Sequence, residues 1–503
     1  MTSNLIRLRR VIAALSTACL IPLPMLRPDP AWAGETVAPP SATNQVLTLN
    51  QCLATAMEKS HFRPASQFAV AAAEAQHRQA LAGYWPQLNL KGSYHHLNDS
   101  PDFLFPAERF STPGGTMQVT VPAGVLGPTA VQLPVSFPNQ TVAVPAQDVK
   151  LMDPDVLCGS AEATWLVYDG GMRRGYREQA QAGLDAARQE ARRTDLQVAD
   201  SVRRMYYGAV LARQLHQLGK DTLARLDTTL NLTETMYKEG SGKVTKADFL
   251  ENKVTVESLR AMVAELEKNE AMSQAALANT MGLSWKESIE PADPEIPFEP
   301  YAAKLDEMVG AAYQFNPDWE KLEAGIRATD GAVRTARSGH YPKVALTGNL
   351  HAWWNQYDAG MATSQNKTGW DVGVGMEVPL FDGFLTRNKV KEALARSGEV
   401  REQQFLLREG IGLQVKDIFL SLEAARKSFQ STAEAMKAAQ ENRDLNIRAY
   451  QSELVETEKV IRAQLVEALM TAVHYKTRYD HVALQSQLNL VVGTEIWKRL
   501  ATP

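Results

Sequence analysis

The chain has 503 residues, with 57 acidic and 53 basic side chains and a formal net charge of −4 at pH 7. This weak acidity excludes the strongly basic surface of a nucleic-acid-binding protein, so no nucleic-acid partner is expected. Three cysteines are too few for a disulfide framework.

The first 33 residues have the features of a secretory signal peptide. Three arginines among the first ten residues precede an apolar stretch over 11–26, and an Ala-Trp-Ala sequence ends at Ala33. This pattern predicts cleavage after Ala33. Two alternatives remain open: an uncleaved anchor, although prolines interrupt the apolar stretch, and a lipid on Cys19.

Two parts of the remaining chain repeat one another. Residues 80–90 are echoed at 336–346, and residues 165–170 are echoed at 378–383. The separation between matching residues is 43 residues shorter for the second pair of segments than for the first, which indicates an extra segment in the first copy. Repeats of this size indicate one structural unit used twice. The two predicted repeats cover residues 34–295 and 296–503.

Each repeat is expected to begin with a helix and to contain a very long helix further on. The first helices are predicted at 47–83 and 301–338, and the long ones at 172–239 and 384–451. The long segments lack proline and are rich in strong helix formers. At ~1.5 Å per residue each would measure ~100 Å. A coiled-coil rod or soluble helical scaffold is the alternative interpretation.

Between these helices, short segments alternate between apolar and mostly polar residues. The alternation covers 88–94 in the first repeat, and 344–354 and 372–380 in the second, while Glu162 and Thr164 lie on the matching face of a fourth strand in the first repeat. It is typical of transmembrane barrel strands, although half-buried strands of soluble proteins show it too. Small barrels start at ~8 strands, so four strands per chain require several copies to close one. A homo-oligomer is therefore expected.

Several of these residues resemble one known family, the TolC-like outer-membrane efflux proteins. The resemblance rests on the Pro-Leu-Phe-Asp-Gly run at 379–383, its copy at 166–170, and the double repeat. Tyr-Trp-Pro at 84–86 and Tyr-Pro at 341–342 match the family's strand starts. The resemblance covers essentially the whole chain after residue 33.

The resemblance implies a mainly α fold with membrane β-strands. Four strands from each protomer of a homotrimer would form a 12-stranded β-barrel in contact with outer-membrane lipid, continued by a periplasmic α-helical barrel. The extra segment at about 97–155 would be an extracellular loop, which we expect to be disordered and without a role. Residues 355–367 would be its shorter counterpart.

The function implied is that of a passive outer-membrane exit duct for efflux or type I secretion. Its partners would be a periplasmic membrane-fusion adaptor protein and an inner-membrane pump of the RND, ABC or MFS type. No nucleotide, hydrolase or zinc motif occurs in the sequence, so no enzyme activity, cofactor or metal is expected. Drugs, metal ions and polypeptides remain open as cargo, and a soluble rod remains the competing function.

Candidate gate residues lie where each long helix reverses direction. In the family, a link between an Asp and a Tyr holds the periplasmic tip shut. The resemblance places this link at Asp248 and Tyr450. Val455 occupies the position of the family's arginine and cannot make that link. The tip's acidic ring falls on Lys459 and Arg462, whose charges would favour anions.

The same turns contain further candidates and an alternative explanation. A shift of the second turn by a few residues would place glutamates in the ring: Glu453, Glu456 and Glu458. The first turn is the expected adaptor-docking surface, with the candidates Gly240, Gly242, Val244 and Thr245. Alternatively, all these charges form the solvated face of an ordinary helical turn.

Overall fold

The protein is described from a computed structural model. The described residues are 45–98, 102–122, 128, 130–150, 154–239, 244–300, 303–355, 367–452 and 454–494. The predicted signal peptide at 1–33 lies outside them, as does most of the shorter loop at 355–367. Three candidate site residues also lie outside: Gly240, Gly242 and Glu453.

Both halves of the chain contain the same order of long elements. The first half consists of β1 (Gln45–Leu47), α1 (Leu49–Lys59), α2 (Phe62–Ala82), β2 (Gln87–His96), six short strands, β9 (Asp155–Tyr168), α3 (Met172–Lys238), α4 (Lys246–Thr280) and β10 (Ile289–Pro291). The second half consists of α5 (Leu305–Phe315), α6 (Pro317–Ser338), β11 (Lys343–Asn355), β12 (Thr368–Glu377), α7 (Leu385–Gln451) and α8 (Thr457–Val492).

The two long helices are confirmed almost to the residue. Helices α3 and α7 each contain 67 residues, which corresponds to ~100 Å at ~1.5 Å per residue. Helix α3 packs against both α4 and α8, and α8 packs against α7. Within the described ranges, no helix has a stretch long and apolar enough to cross a membrane.

The prediction of one continuous first helix per repeat is wrong, because each repeat has two helices there. Asn316 has an extended backbone and precedes Pro317, which disfavours helical geometry in the residue before it. Its side chain accepts hydrogen bonds from the backbone N–H groups of Asp318 (2.8 Å) and Trp319 (3.1 Å) and so starts α6. Ser60 makes the corresponding extended break between α1 and α2.

A left-handed glycine packs against each of these breaks. Gly282 (φ +82°) lies against the backbone of Lys59, and Gly493 (φ +80°) lies against the backbone of Phe315. Both glycines follow the shorter helix of a helical hairpin. In both halves, therefore, the end of the shorter hairpin helix, α4 or α8, packs against the break between the first two helices of that half.

The four longer strands form one antiparallel sheet in the order β12-β11-β9-β2. One cross-strand row contains apolar residues: Leu90, Ala161, Leu350 and Trp370. The next row is polar: Asn89, Glu162, Asn349 and Asp371. The predicted strands and the apolar and polar faces are thus confirmed, and β2 and β12 form the two edges.

The segment at 97–155, expected to be disordered, instead contains six strands that pair as a ribbon. The pairs are β3 (Asp102–Phe105) with β8 (Gln147–Lys150), β4 (Glu108–Thr112) with β7 (Gln140–Val144), and β5 (Gly115–Val121) with β6 (Val131–Phe137). The expectation was wrong because Val, Thr and Phe, which favour strands, alternate with small polar residues between the nine prolines.

Candidate functional site

The first helical reversal joins α3 to α4 and is closed by a capping box. The backbone N–H of Thr245 donates to the Asp248 carboxylate (2.8 Å), and the backbone N–H of Asp248 donates to the Thr245 hydroxyl (3.2 Å). The rings of Tyr237 and Phe249 stack across the turn, 5.9 Å apart. Thr245 is exposed and Val244 is half-buried, so the docking candidates that are described lie at the surface.

The second reversal joins α7 to α8 and is organised around Tyr450. Its hydroxyl accepts a hydrogen bond from the Thr457 hydroxyl (3.1 Å) and donates to the sulfur of Met236 (3.7 Å). Thr457 begins α8, whereas Met236 lies near the end of α3. Tyr450 therefore connects the second turn to the first one.

Asp248 and Tyr450 do not bond to each other within the protomer. The Asp248 carboxylate is engaged by its own helix cap, and the Tyr450 hydroxyl is engaged by Met236 and Thr457. A link between them across neighbouring copies stays a prediction.

The described charged candidates of the second turn are all exposed, and two of them form an ion pair with each other. Arg462 forms an ion pair with Glu458, one helical turn away. Lys459 and Glu456 are exposed, and Glu456 precedes the first residue of α8. Since a neighbouring carboxylate offsets Arg462, Lys459 is the stronger candidate for a cationic ring.

Sequence reasoning missed an ion cluster further along the same helices. Glu467 of α8 is 4% exposed, accepts a hydrogen bond from Arg225 of α3 (2.9 Å) and forms an ion pair with Arg443 of α7 (3.2 Å). Arg443 also contacts Asp444 (2.7 Å), so two guanidinium groups are matched by two carboxylates. The cluster ties three long helices together near the turns.

Helix α8 carries a stripe of polar residues at helical spacing, which the structure shows to be buried. This spacing is visible in the sequence and could have identified the cluster. The members of the stripe recur every three or four residues: Gln464, Glu467, Thr471, His474, Thr477 and His481. That spacing places them on one face of the helix. A helix that packs through its polar face must find partners there, and Glu467 and His474 do so.

The two histidines of the stripe each lie against an aromatic ring. His474 contacts Phe429 and forms a hydrogen bond with Thr432 (3.1 Å), while His481 lies 4.3 Å from the ring of Phe298. Burial lowers the pKa of both histidines, and for His474 the charge of Arg478 lowers the pKa further. Burial thus favours the neutral form of both histidines.

The strand-to-helix corners use the two Asp-Gly pairs found in the sequence. The buried Asp169 carboxylate accepts from the backbone N–H groups of Gly171 (3.0 Å) and Arg173 (2.9 Å) and from the Arg173 guanidinium (2.7 Å). Burial alone would raise the pKa of Asp169, but these bonds outweigh it and lower the pKa. At the second corner Asp382 accepts from the backbone N–H of Thr386 (2.8 Å). Both aspartates thus accept hydrogen bonds from backbone N–H groups in the first turn of the following helix.

A family model described as outer membrane efflux protein matches residues 156–283 and 308–490. Among curated proteins, protein CyaE of Bordetella pertussis is 28% identical over 280 residues, which cover 53% of this chain and 56% of that protein. Outer membrane efflux protein BepC of Brucella suis is 20% identical over 282 residues, covering 55% of this chain and 58% of that protein. The chain thus spans a little over half the length of these relatives.

Solved structures match a larger share of the chain. A membrane protein from Pseudomonas aeruginosa superposes with a TM-score of 0.69 at 16% identity, covering 90% of this chain and 92% of that one. The outer membrane protein VceC of Vibrio cholerae superposes with a TM-score of 0.67 at 17% identity, covering 89% and 96%. At such identities the likeness concerns the fold alone.

Proposed function

The chain belongs to the outer membrane efflux protein family, and we propose that it is the passive exit duct of an efflux pump or type I secretion system. Its fold is the TolC-like one, and this family membership locates it in the bacterial outer membrane with its long helices in the periplasm. The observation that carries the proposal is a four-stranded sheet with an apolar face, continued by helices ~100 Å long.

The duct requires a homotrimer of this chain. Within the described sheet, β2 and β12 are edges whose backbone groups need partners in a membrane. Pairing β2 of one copy with β12 of the next, three times around, would close a barrel of twelve strands. The apolar face would then contact lipid, where Leu88 and Val372 are now largely exposed.

The helices support the same arrangement. Large apolar residues of α7 are more than half exposed in the single protomer: Phe405, Leu406 and Leu413. Exposed apolar side chains along one long helix indicate a surface that another chain covers. With the long helices α3 and α7 and their shorter hairpin partners α4 and α8 from each copy, twelve helices would form the periplasmic tunnel.

Partners would supply the energy and open the tip. We propose that the first turn, with Val244 and Thr245, contacts a periplasmic adaptor that joins the duct to an inner-membrane pump. The second turn, with Lys459 exposed beside the Tyr450 contacts, would form the constriction. The duct itself would carry out no reaction.

Oligomeric state in detergent tests this proposal. The full chain, purified from membranes, should run as a trimer by light scattering corrected for bound detergent, and it should aggregate when detergent is removed. A monodisperse particle that needs no detergent would contradict the duct and would support the helical scaffold instead.

A further inference from the structure

The outer part of the ribbon, β5 with β6, has one apolar and one polar face; we refer to it as the distal ribbon. Met117 lies opposite Val135, and Val119 lies opposite Leu133. The intervening pairs are polar on the other face, as in Thr120 opposite Gln132. Met117 is 61% exposed and Phe137 is 55% exposed, so nothing in the protomer covers the apolar face at these positions.

The ribbon also lacks charge over most of its length. Residues 110–147 contain no Asp, Glu, Lys, Arg or His, although charged residues make up 22% of the whole chain. A two-stranded ribbon is marginally stable in water, and an uncharged apolar one with open edges invites association. These properties indicate a surface that is covered in the assembled protein.

The position of the ribbon indicates what covers it. It continues the hairpin of β2 and β9, whose ladder extends to a hydrogen bond from the Leu97 N–H to the Pro154 carbonyl (2.7 Å). Because β2 is the edge of the sheet, the ribbon starts at the boundary where the next copy would pair.

The lengths make contact between copies feasible. From β3 to the end of β5 the ribbon would extend ~65 Å at ~3.3 Å per residue. A barrel of twelve strands spaced ~4.8 Å apart and tilted by ~40° has a radius of only about 12 Å. Each ribbon therefore has more than enough length to reach the symmetry axis and the other two copies.

We propose that the apolar faces of the three distal ribbons pack on one another above the outer mouth of the barrel. The inference rests on the trimer of the proposed function. In a closed three-fold arrangement each apolar face packs against the apolar faces of the other two copies, so the contact closes on itself and recruits no further molecules. A negatively charged membrane surface is the less suitable occupant, because residues 110–147 offer it no basic side chain.

Cysteine cross-linking of the full chain tests the proposal with a matched pair of variants. Leu133→Cys lies on the apolar face, and its sequence neighbour Gln132→Cys lies on the polar face. Both are made with Cys158→Ser, and the trimer is verified first by light scattering. Mild oxidation should cross-link Leu133→Cys into dimers about tenfold faster than Gln132→Cys, because the packed faces raise its effective concentration.

The outcomes separate this proposal from the one on which it rests. If trimers form but the two variants cross-link equally, or neither does, the packed-ribbon proposal is overturned. If light scattering finds no trimer even for the unsubstituted chain, the proposed function fails instead. A fluorophore on Leu133→Cys in lipid nanodiscs adds an independent readout: strong quenching by spin-labelled lipid would mean that the apolar face is buried in the membrane, which also overturns the proposal.

Discussion

Replacing Glu467 with Gln should loosen the contact among α3, α7 and α8 while keeping the shape of the side chain. The carboxylate that receives both Arg225 and Arg443 becomes neutral, so two guanidinium groups lose their shared partner. Removing one member of a buried ion pair typically costs about 3–5 kcal/mol. Arg225 is about one-third exposed and Arg443 keeps its ion pair with Asp444, so we expect a loss at the lower end of this range, about 3 kcal/mol.

Hydrogen exchange at the backbone amides of α8 measures this loss locally. If the opening free energy around Glu467 falls by about 3 kcal/mol, amides near it should exchange about 100-fold faster in the trimer. A local measurement is preferable, because unfolding of a large oligomeric membrane protein is not a two-state process.

Glu458→Gln on the same helix is the matched control. Its ion pair with Arg462 is exposed to solvent on both sides, and such pairs contribute about 0–1 kcal/mol. Exchange near residue 458 should therefore change by less than about tenfold. Equal effects of the two substitutions, or unchanged exchange around Glu467, would refute the reasoning that the buried cluster holds the three helices together.

Three further predictions concern the second turn, the first corner and the break between α1 and α2. Tyr450→Phe removes the hydroxyl that connects Met236 to Thr457, so the resting conductance of the trimer in planar bilayers should rise; unchanged conductance would remove Tyr450 from the gate. Asp169→Asn should lower the melting temperature at pH 7. Because folding lowers the pKa of Asp169, its stabilisation is present above the ordinary value of about 3.9 and is lost as the pH falls through the folded pKa, so the difference from the unsubstituted chain should shrink below pH ~4. Gly282→Ala places an alanine in the left-handed conformation with its methyl group against the Lys59 backbone, so the local opening free energy measured by hydrogen exchange around Ser60 should fall by more than about 1 kcal/mol. Gly183→Ala, whose methyl group meets only open space, should leave that exchange unchanged.

The sequence was most informative where one kind of residue persists over a long stretch. The proline-free segments predict α3 and α7 to within a residue, and strict alternation predicts β11 and β12. The first helices were predicted as continuous because their breaks depend on single residues, Ser60 and Asn316, and on glycines more than 170 residues away. Such long-range contacts have no local pattern.

The distal ribbon and the ion cluster were missed for different reasons. Nine prolines in 97–155 indicated irregular structure, although the alternation over 115–121 is as regular as in the longer strands. Proline fits such ribbons because an edge position does not need its missing N–H. In the candidate site, sequence locates both helical turns, but which side chains meet depends on how the long helices are rotated. This explains why Glu467 was overlooked and why the contacts of Tyr450 could not be predicted.

The central claim is tested most directly by recording the purified trimer in planar bilayers under a salt gradient. The account predicts discrete currents that appear only with the trimer, and their reversal potential should shift towards cation preference in Lys459→Glu if Lys459 lines the constriction. The exit-duct function would be contradicted if neither the unsubstituted chain nor Tyr450→Phe gives a current in bilayers that are verified to contain the trimer.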